Sequence, residues 1–237
     1  AMEVMRRDKP FLIVGSPPCT VFSVIQALNL HRHGPQWRDQ FEIRKAAAIK
    51  HVRFCNQLYR IQMASGRYFL HEHPHGATSW DLDFMRELET KAGVIRIRAD
   101  QCEFGLSTTS QGVTLPARKP TGFLTNSWCI AEELNRQCSG KHEHFSLMEG
   151  RAAKAQVYPP ELCAAICRGV KRQKEHDDER MCALMSMTDE ELEVAIQKAG
   201  YPAHWLDKQH EEISKNQFLD EELNLIRVKN GEKWATD

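Results

Sequence analysis

"FLIVGSPPCTVFS", residues 11–23, opens with a five-residue run closing on Gly15 and passes through two prolines to a cysteine. A short apolar run bounded by turn residues has the length of a buried strand rather than a helix. Pro17 and Pro18 fix φ and stiffen the turn after it. Cys19 is therefore expected on a rigid loop at the end of a strand. A lone cysteine is usually a small buried hydrophobe, so its meaning depends on the motifs that accompany it along the chain.

Working outward, three further runs read as strands: 67–71 (RYFLH), 94–98 (VIRIR) and 121–125 (TGFLT). Between the first two lies a helical pattern over 41–64, with Ala47, Ile49, Val52, Leu58, Ile61 and Met63 near helical spacing. Helices are also predicted over 20–30, 80–91, 128–137 and 160–173, the last opening with "YPPEL", where proline suits a first helical turn. This alternation predicts an α/β domain over residues 1–173. The polar stretch "KEHDDERM", 174–181, is expected to end that body, leaving 174–237 as an acidic helical appendage. In it Thr188 and Glu191 form a capping-box pattern, and Gly200 with Pro202 signals a stop. A second helix is expected over 207–229, carrying Phe218, Leu219, Leu223, Leu225 and Ile226.

Of the 237 residues 41% are hydrophobic, enough to bury a core. No apolar run approaches the roughly 18 residues of a membrane span, and "AMEVMRRDKP" lacks the apolar stretch of a secretory signal. The expectation is an intracellular protein, nuclear or cytoplasmic, without a membrane partner. Its eight cysteines fall in helix-like and strand-like segments, which favours reduced thiols over a disulfide scaffold. Formal net charge is zero, but residues 1–173 carry 24 Lys+Arg against 16 Asp+Glu, whereas residues 174–237 carry 8 against 16. A body of +8 with a tail of −8 points to a polyanion-facing surface that the tail could shield or mimic.

The opening stretch resembles the nucleophile motif of DNA cytosine-5 methyltransferases, an apolar strand ending in a Pro-Cys loop followed by a pair like Phe-Ser. "GRYFLHEHP" looks like that family's next motif, a strand ending in a glutamate, here Glu72. "DQCEFGLSTTSQGVTLPARKPTGFLTN" is similar to its arginine motif, with Arg118 beside Lys119 as the nearest counterpart. "QVYPPELCAAICRGV" looks like its last motif, a Pro-Pro turn opening the helix that returns to the cofactor side. The four partial matches stand in the family's order over about residues 9–173.

The resemblance implies a Rossmann-like methyltransferase-type sheet and methyl transfer to cytosine in nucleic acid, DNA ahead of RNA. It makes Cys19 the thiolate that adds to C6, Glu72 the acid on the base edge, and Arg118 the group that holds that carboxylate and the pyrimidine carbonyl. It assigns Pro17, Pro18, Pro159 and Pro160 to turns facing S-adenosylmethionine. The target base has to be flipped out or presented in a single strand.

The sequence departs from this family in specific ways. No Phe-x-Gly-x-Gly element lies before the Pro-Cys strand or after residue 173. The segment from 126 to 156 is too short for a large DNA-reading domain, Thr20 stands where many members have glutamine, and His73-Pro74 replaces Asn-Val. The sheet is therefore expected to be partial, with strand 11–15 an exposed edge that a homodimer, the tail helices or an upstream region covers. A cofactor-deficient nucleic-acid-binding or assembly module, a segment of a mobile-element polyprotein, is the alternative reading.

Two other constellations compete. "NRQCSGKHEH" brings Cys138, His142 and His144 within seven residues, and Cys102 or Cys129 could complete a tetrahedral zinc set, although two CxxC pairs are lacking. "FLHEHPHG" places His71, His73 and His75 at alternating positions, as metal ligands or as histidines beside a nucleic-acid pocket. A cysteine hydrolase would pair Cys19 with one of these histidines.

Overall fold

In a computed structural model, residues 1–147 and 155–198 are described. The chain divides into two compact units, Ala1–Gln173 and Lys174–Asp237. The first unit is a mixed α/β structure. Its main strands are β1 (Leu12–Gly15), β2 (Tyr68–Pro74), β3 (Ile95–Asp100) and β6 (Pro120–Thr125), and a separate hairpin pairs β4 (Ser107–Ser110) with β5 (Val113–Pro116). The four-stranded sheet has the order β1-β2-β6-β3, with β1 parallel to β2 and β6 antiparallel to both of its neighbours. Thus β1, β2 and β3 share one direction and end at one rim of the sheet.

The described helices of the first unit are α1 (Met2–Asp8), α2 (Ile25–Arg32), α3 (Pro35–Ala64), α4 (Asp83–Glu89), α5 (Trp128–Leu134) and the start of α6 (Pro160–Met185). Period-two alternation sorts the sheet's side chains onto two faces. Phe69 and Leu124 pack with Val52, Tyr59 and Met85 from α3 and α4, while Leu70 and Phe123 pack with Ile130, Leu134, Leu162 and Ala165 from α5 and α6. Each core therefore lies between the sheet and a helix pair.

The rim opposite the strand ends is tied by two side-chain amides. Gln62, fully buried, donates from Nε2 to the carbonyls of Pro10 and Tyr68, each at 2.9 Å, and accepts from Arg67 Nε at 2.8 Å. Because this one side chain bridges the entries to β1 and β2, it helps set their parallel register, which pairs Gly15 with His71. Asn126 does the same for β2 and β6, accepting from Phe69 N–H and donating to the Arg67 carbonyl, both at 2.9 Å.

All four predicted strands form, with β1 an edge strand whose Val14 is half-exposed. Several boundaries differ from expectation. The segment 20–30 opens as a single tight turn, Thr20–Phe22, before α2; α3 starts at Pro35 because Gly34 and Pro35 make a favourable entry. The 80–91 segment divides into a turn, Thr78–Asp81, and α4, and α5 stops at Leu134. The helix expected to end at 173 continues as α6 to Met185, so the polar run after it is helical. In the second unit α7 (Asp189–Lys198) begins with the expected capping box: Thr188 N–H donates to Glu191 Oε2 at 2.9 Å, and Glu191 N–H to Thr188 Oγ1 at 3.3 Å. The stop at Gly200 and Pro202 and the helix over 207–229 lie outside the described residues. No described helix is long and apolar enough to cross a membrane.

Candidate thiol-carboxylate site and candidate metal centre

The strand β2 carries His71, Glu72 and His73, all buried in the middle of the sheet. Polar groups there are costly unless hydrogen-bonded, so their partners define the site. His71 and His73 project toward α3, with ring centroids 4.8 Å apart, and Glu72 projects to the opposite face, opposite Phe123 in register. His71 Nδ1 hydrogen-bonds with Tyr59 Oη at 2.8 Å, and its Nε2 has no partner among the described residues. Burial, with His73 beside it, pushes His71 well below the usual imidazole range. His73 Nε2 lies 3.0 Å from the Pro17 carbonyl, which can only accept. That nitrogen therefore carries the proton, and Nδ1 accepts from Ser79 Oγ at 2.5 Å.

This hydrogen bond draws the Pro-Pro loop toward β2. Phe22, 1% exposed, anchors the far side of the loop, with its N–H donating to the Cys19 carbonyl at 3.0 Å. Burying that ring is worth about 2–3 kcal/mol. Cys19, at the loop's head and half-buried, is thus held at both ends. Burial pushes its thiol up, the Glu72 charge pushes the same way, and Lys119 opposes them. Ser16 Oγ donates to Glu72 Oε2 at 2.5 Å. The Tyr158 hydroxyl is buried within electrostatic reach of Glu72 and Ser16 without making a hydrogen bond of good geometry among the described residues, and burial followed by the Glu72 charge raises it.

Glu72 therefore lies within electrostatic reach of Cys19. Arg118 instead pairs with Asp100, its guanidinium 3.5 Å from Oδ2, and Lys119 is the cation acting on the thiol. Pro17 is buried under His73 and Pro18 is exposed. The Pro159 carbonyl caps the next helix, accepting from Leu162 and Cys163 N–H at 3.0 and 3.2 Å, and Pro160 is the first residue of α6. Since His73 commits both ring nitrogens elsewhere and His71 faces Tyr59, neither is set as a base for Cys19. Ser16 and Tyr158 were not singled out from sequence, and Lys119 was named only as the neighbour of Arg118 in the arginine-like motif. Tyr158 stood directly before the Pro-Pro turn, which was the available signal.

The second constellation gathers at the end of β3. Cys102, Cys138, His142 and His144 offer ligand atoms all within 4.8 Å of one another, and the group could hold a metal ion. Cys138 Sγ is 3.6 Å from His142 Nε2 and 3.5 Å from His144 Nε2. Gly140, at φ 73°, turns the loop so that its N–H reaches Cys138 Sγ at 3.3 Å. Cys102 is the fourth member because the loop is sewn to β3: Asp100 N–H donates to the Arg136 carbonyl at 2.9 Å, and Cys138 N–H to Asp100 Oδ2 at 3.0 Å. Cys129 is buried in α5 and outside the group. Burial, reinforced by Cys138, pushes the Cys102 thiol up to about 12 in the absence of a metal. His71, His73 and His75 form no such cluster among the described residues.

No protein-family model, curated protein or solved structure matches this chain.

Proposed function

We propose that the first unit engages a cytosine of nucleic acid through Cys19 and Glu72, as the resemblance to the catalytic half of cytosine-5 methyltransferases implies. The observation that carries this reading is the approach of Cys19 to Glu72 from adjacent parallel strands, with the thiol under the influence of both Glu72 and Lys119. Ligands of open α/β sheets bind outside the carboxyl ends of parallel strands, and Cys19 lies there. The net charge of +8 over residues 1–173 suits a phosphate backbone.

The raised thiol begins protonated at neutral pH, so addition needs a proton acceptor. Glu72 supplies it. The Cys19 proton passes to the Glu72 carboxylate as Sγ bonds to C6 of the base. The C5=C6 electron pair shifts through C4 to N3, which takes the proton from Glu72. Charge is conserved, and C5 becomes enamine-like. Ser16, held on Oε2, leaves Oε1 for the base edge. Arg118 is available for the pyrimidine carbonyl or a phosphate, as are the Lys119 ammonium donors left after one is given to the Ala155 carbonyl at 3.0 Å.

S-adenosylmethionine does not fit the described residues. Its adenosyl group calls for a glycine-rich turn and an acidic residue on neighbouring strands, whereas β1 is the sheet edge on that side and is followed by Ser-Pro-Pro. An added strand on the β1 edge, from a second copy or an upstream region, belongs to the same reading. The cofactor-deficient nucleic-acid-binding or assembly module is the second reading, favoured by the Ser-Pro-Pro turn that follows the edge strand β1.

For the Cys2His2 group the reading is zinc. With Zn–S about 2.3 Å and Zn–N about 2.05 Å, tetrahedral geometry separates S and N by about 3.6 Å. The two Cys138-histidine distances are 3.6 and 3.5 Å. Four protein ligands fill that geometry, which suits a structural ion.

The nucleophile is tested with a single-stranded oligonucleotide carrying 2-pyrimidinone, an electron-poor base that accepts a thiolate at C6 without methyl transfer. Intact-mass measurement is expected to show one adduct per chain, lost in Cys19→Ser and retained in Cys163→Ser. Binding without any adduct would leave the non-catalytic module.

A further inference from the structure

We propose that the Cys102, Cys138, His142 and His144 centre is a zinc clip that sets Arg118 and Lys119 as a phosphate grip, linking metal binding to single-stranded nucleic-acid binding. The proposal rests on the nucleic-acid and zinc readings above and names how one site controls the other.

The two features meet at the end of β3, where Asp100 lies two residues before Cys102. Its fully buried carboxylate accepts the Cys138 N–H at 3.0 Å and Arg98 at 3.2 and 3.3 Å, and pairs with Arg118 at 3.5 Å. A metal ligand and a candidate phosphate cation are therefore joined by one carboxylate. Arg118 remains 44% exposed, so Asp100 orients its guanidinium while leaving donors to solvent. Arg98 adds a buried Nε–H with no acceptor among the described residues.

The ligand loop is also stitched to the basic segment on both sides. Phe145 N–H, just after the last ligand, donates to the Pro116 carbonyl at 3.0 Å. Gln101 N–H, just before the first, donates to the Lys119 carbonyl at 3.2 Å. Residues 116–119 are thus held between the two sequence segments that carry the ligands. A metal bonded to both segments fixes their separation, which these backbone bonds pass on to Arg118 and Lys119. Without it the loop would rely on a few hydrogen bonds, and the Cys138 N–H would be free to leave Asp100. Arg118 would then be drawn inward to the uncompensated carboxylate and away from a phosphate. Because Lys119 also acts on Cys19, the grip borders the proposed base site.

The test uses the full chain and a fluorescent cytosine-containing 12-mer. Elemental analysis is expected to give one zinc per chain, absent from Cys138→Ser. Anisotropy titrations over a salt series compare zinc-loaded protein, chelator-stripped protein and zinc-loaded Arg118→Ala. Stripping is expected to weaken binding at least fivefold and to lower the log-log salt slope by about 0.7 for each phosphate no longer engaged. Arg118→Ala should reduce the slope by about the same amount while keeping its zinc. If stripping unfolds the protein by circular dichroism, the exposed-residue variant decides alone. Equal affinity and slope with and without zinc, or an unchanged slope in Arg118→Ala, overturns the coupling while leaving the zinc and nucleic-acid readings intact. Absence of zinc overturns the metal reading and the coupling together. Zinc-loaded protein that binds no oligonucleotide overturns the nucleic-acid reading, and the coupling with it.

Discussion

Gly15 closes β1 one residue before the Cys19 loop begins, and replacing it by alanine probes the packing beneath that loop. A methyl group there would run into the Tyr59 hydroxyl, with ring carbons Cζ and Cε1 at 2.9 and 3.3 Å. Tyr59 has little room to yield. It is 1% exposed, stacks on Phe69 with centroids 4.6 Å apart, and hydrogen-bonds with His71 Nδ1 at 2.8 Å. Overpacking of this kind costs about 1–3 kcal/mol. Breaking the hydrogen bond would leave His71, whose Nε2 already has no partner among the described residues, with both nitrogens bare, adding about 1–3 kcal/mol. Gly15→Ala is therefore expected to cost about 3–4 kcal/mol and to lower Tm by about 10 °C. Urea and thermal melts of the wild type, Gly15→Ala, Tyr59→Phe and the double variant close a cycle. Removing the hydroxyl eliminates the worst clash but leaves the ring carbons, so the alanine should cost only about 1–2 kcal/mol in the Tyr59→Phe background. The coupling would be about 2 kcal/mol. A Gly15→Ala cost below about 0.5 kcal/mol, or an equal cost in both backgrounds, would refute the reasoning.

Two predictions concern protons. The pH at which Cys19 becomes reactive toward iodoacetamide, followed by peptide mass spectrometry, should fall in Glu72→Gln, which removes a charge that raises the thiol, and rise in Lys119→Met. No change in either variant would dissociate the thiol from those groups. His71 has a depressed imidazole pKa, so its contribution to stability is complete above the unfolded value near 6.5 and is lost as pH falls below it. Urea midpoints should drop between pH 7.5 and 5.5 by the equivalent of about 1.4 kcal/mol from this residue, with the imidazole still neutral by ¹⁵N shifts at pH 6. An imidazolium signal in the folded state at that pH would contradict its burial.

The main strands were legible because each is an apolar run with turn residues nearby. The β4–β5 hairpin was not, since its side chains are mostly exposed and polar. Its one signal was Gln111-Gly112, at φ 49° and 80°, a turn in which both residues occupy left-handed backbone. Three metal ligands could be read from local spacing, but the fourth required knowing which strand end the loop is sewn to. Sequence left Cys102 and Cys129 open, and the Asp100 backbone contacts decide between them. Arg118 and Lys119 are adjacent and chemically alike, and only the start of β6 turns one toward Asp100 and leaves the other acting on Cys19. The continuation of α6 past residue 173 was obscured because a strongly polar run reads equally well as a linker or an exposed helix.

The strand order also governs when the sheet can close during synthesis. β6 lies between β2 and β3, so β3 has no neighbour in the sheet until residues 120–125 exist. From the end of β2 at Pro74 to the end of β6 at Thr125, translation at about 5–20 residues per second takes about 3–10 s. Throughout that interval one side of β2 is unpaired, and the apolar residues of β3 have no sheet to join. Arg96 and Arg98 interrupt that strand and make it a poorer template for aggregation while it waits. A nascent chain stopped before residue 120 would contain both Cys19 and Glu72, yet its sheet would lack the strand that buries Glu72 from the other side.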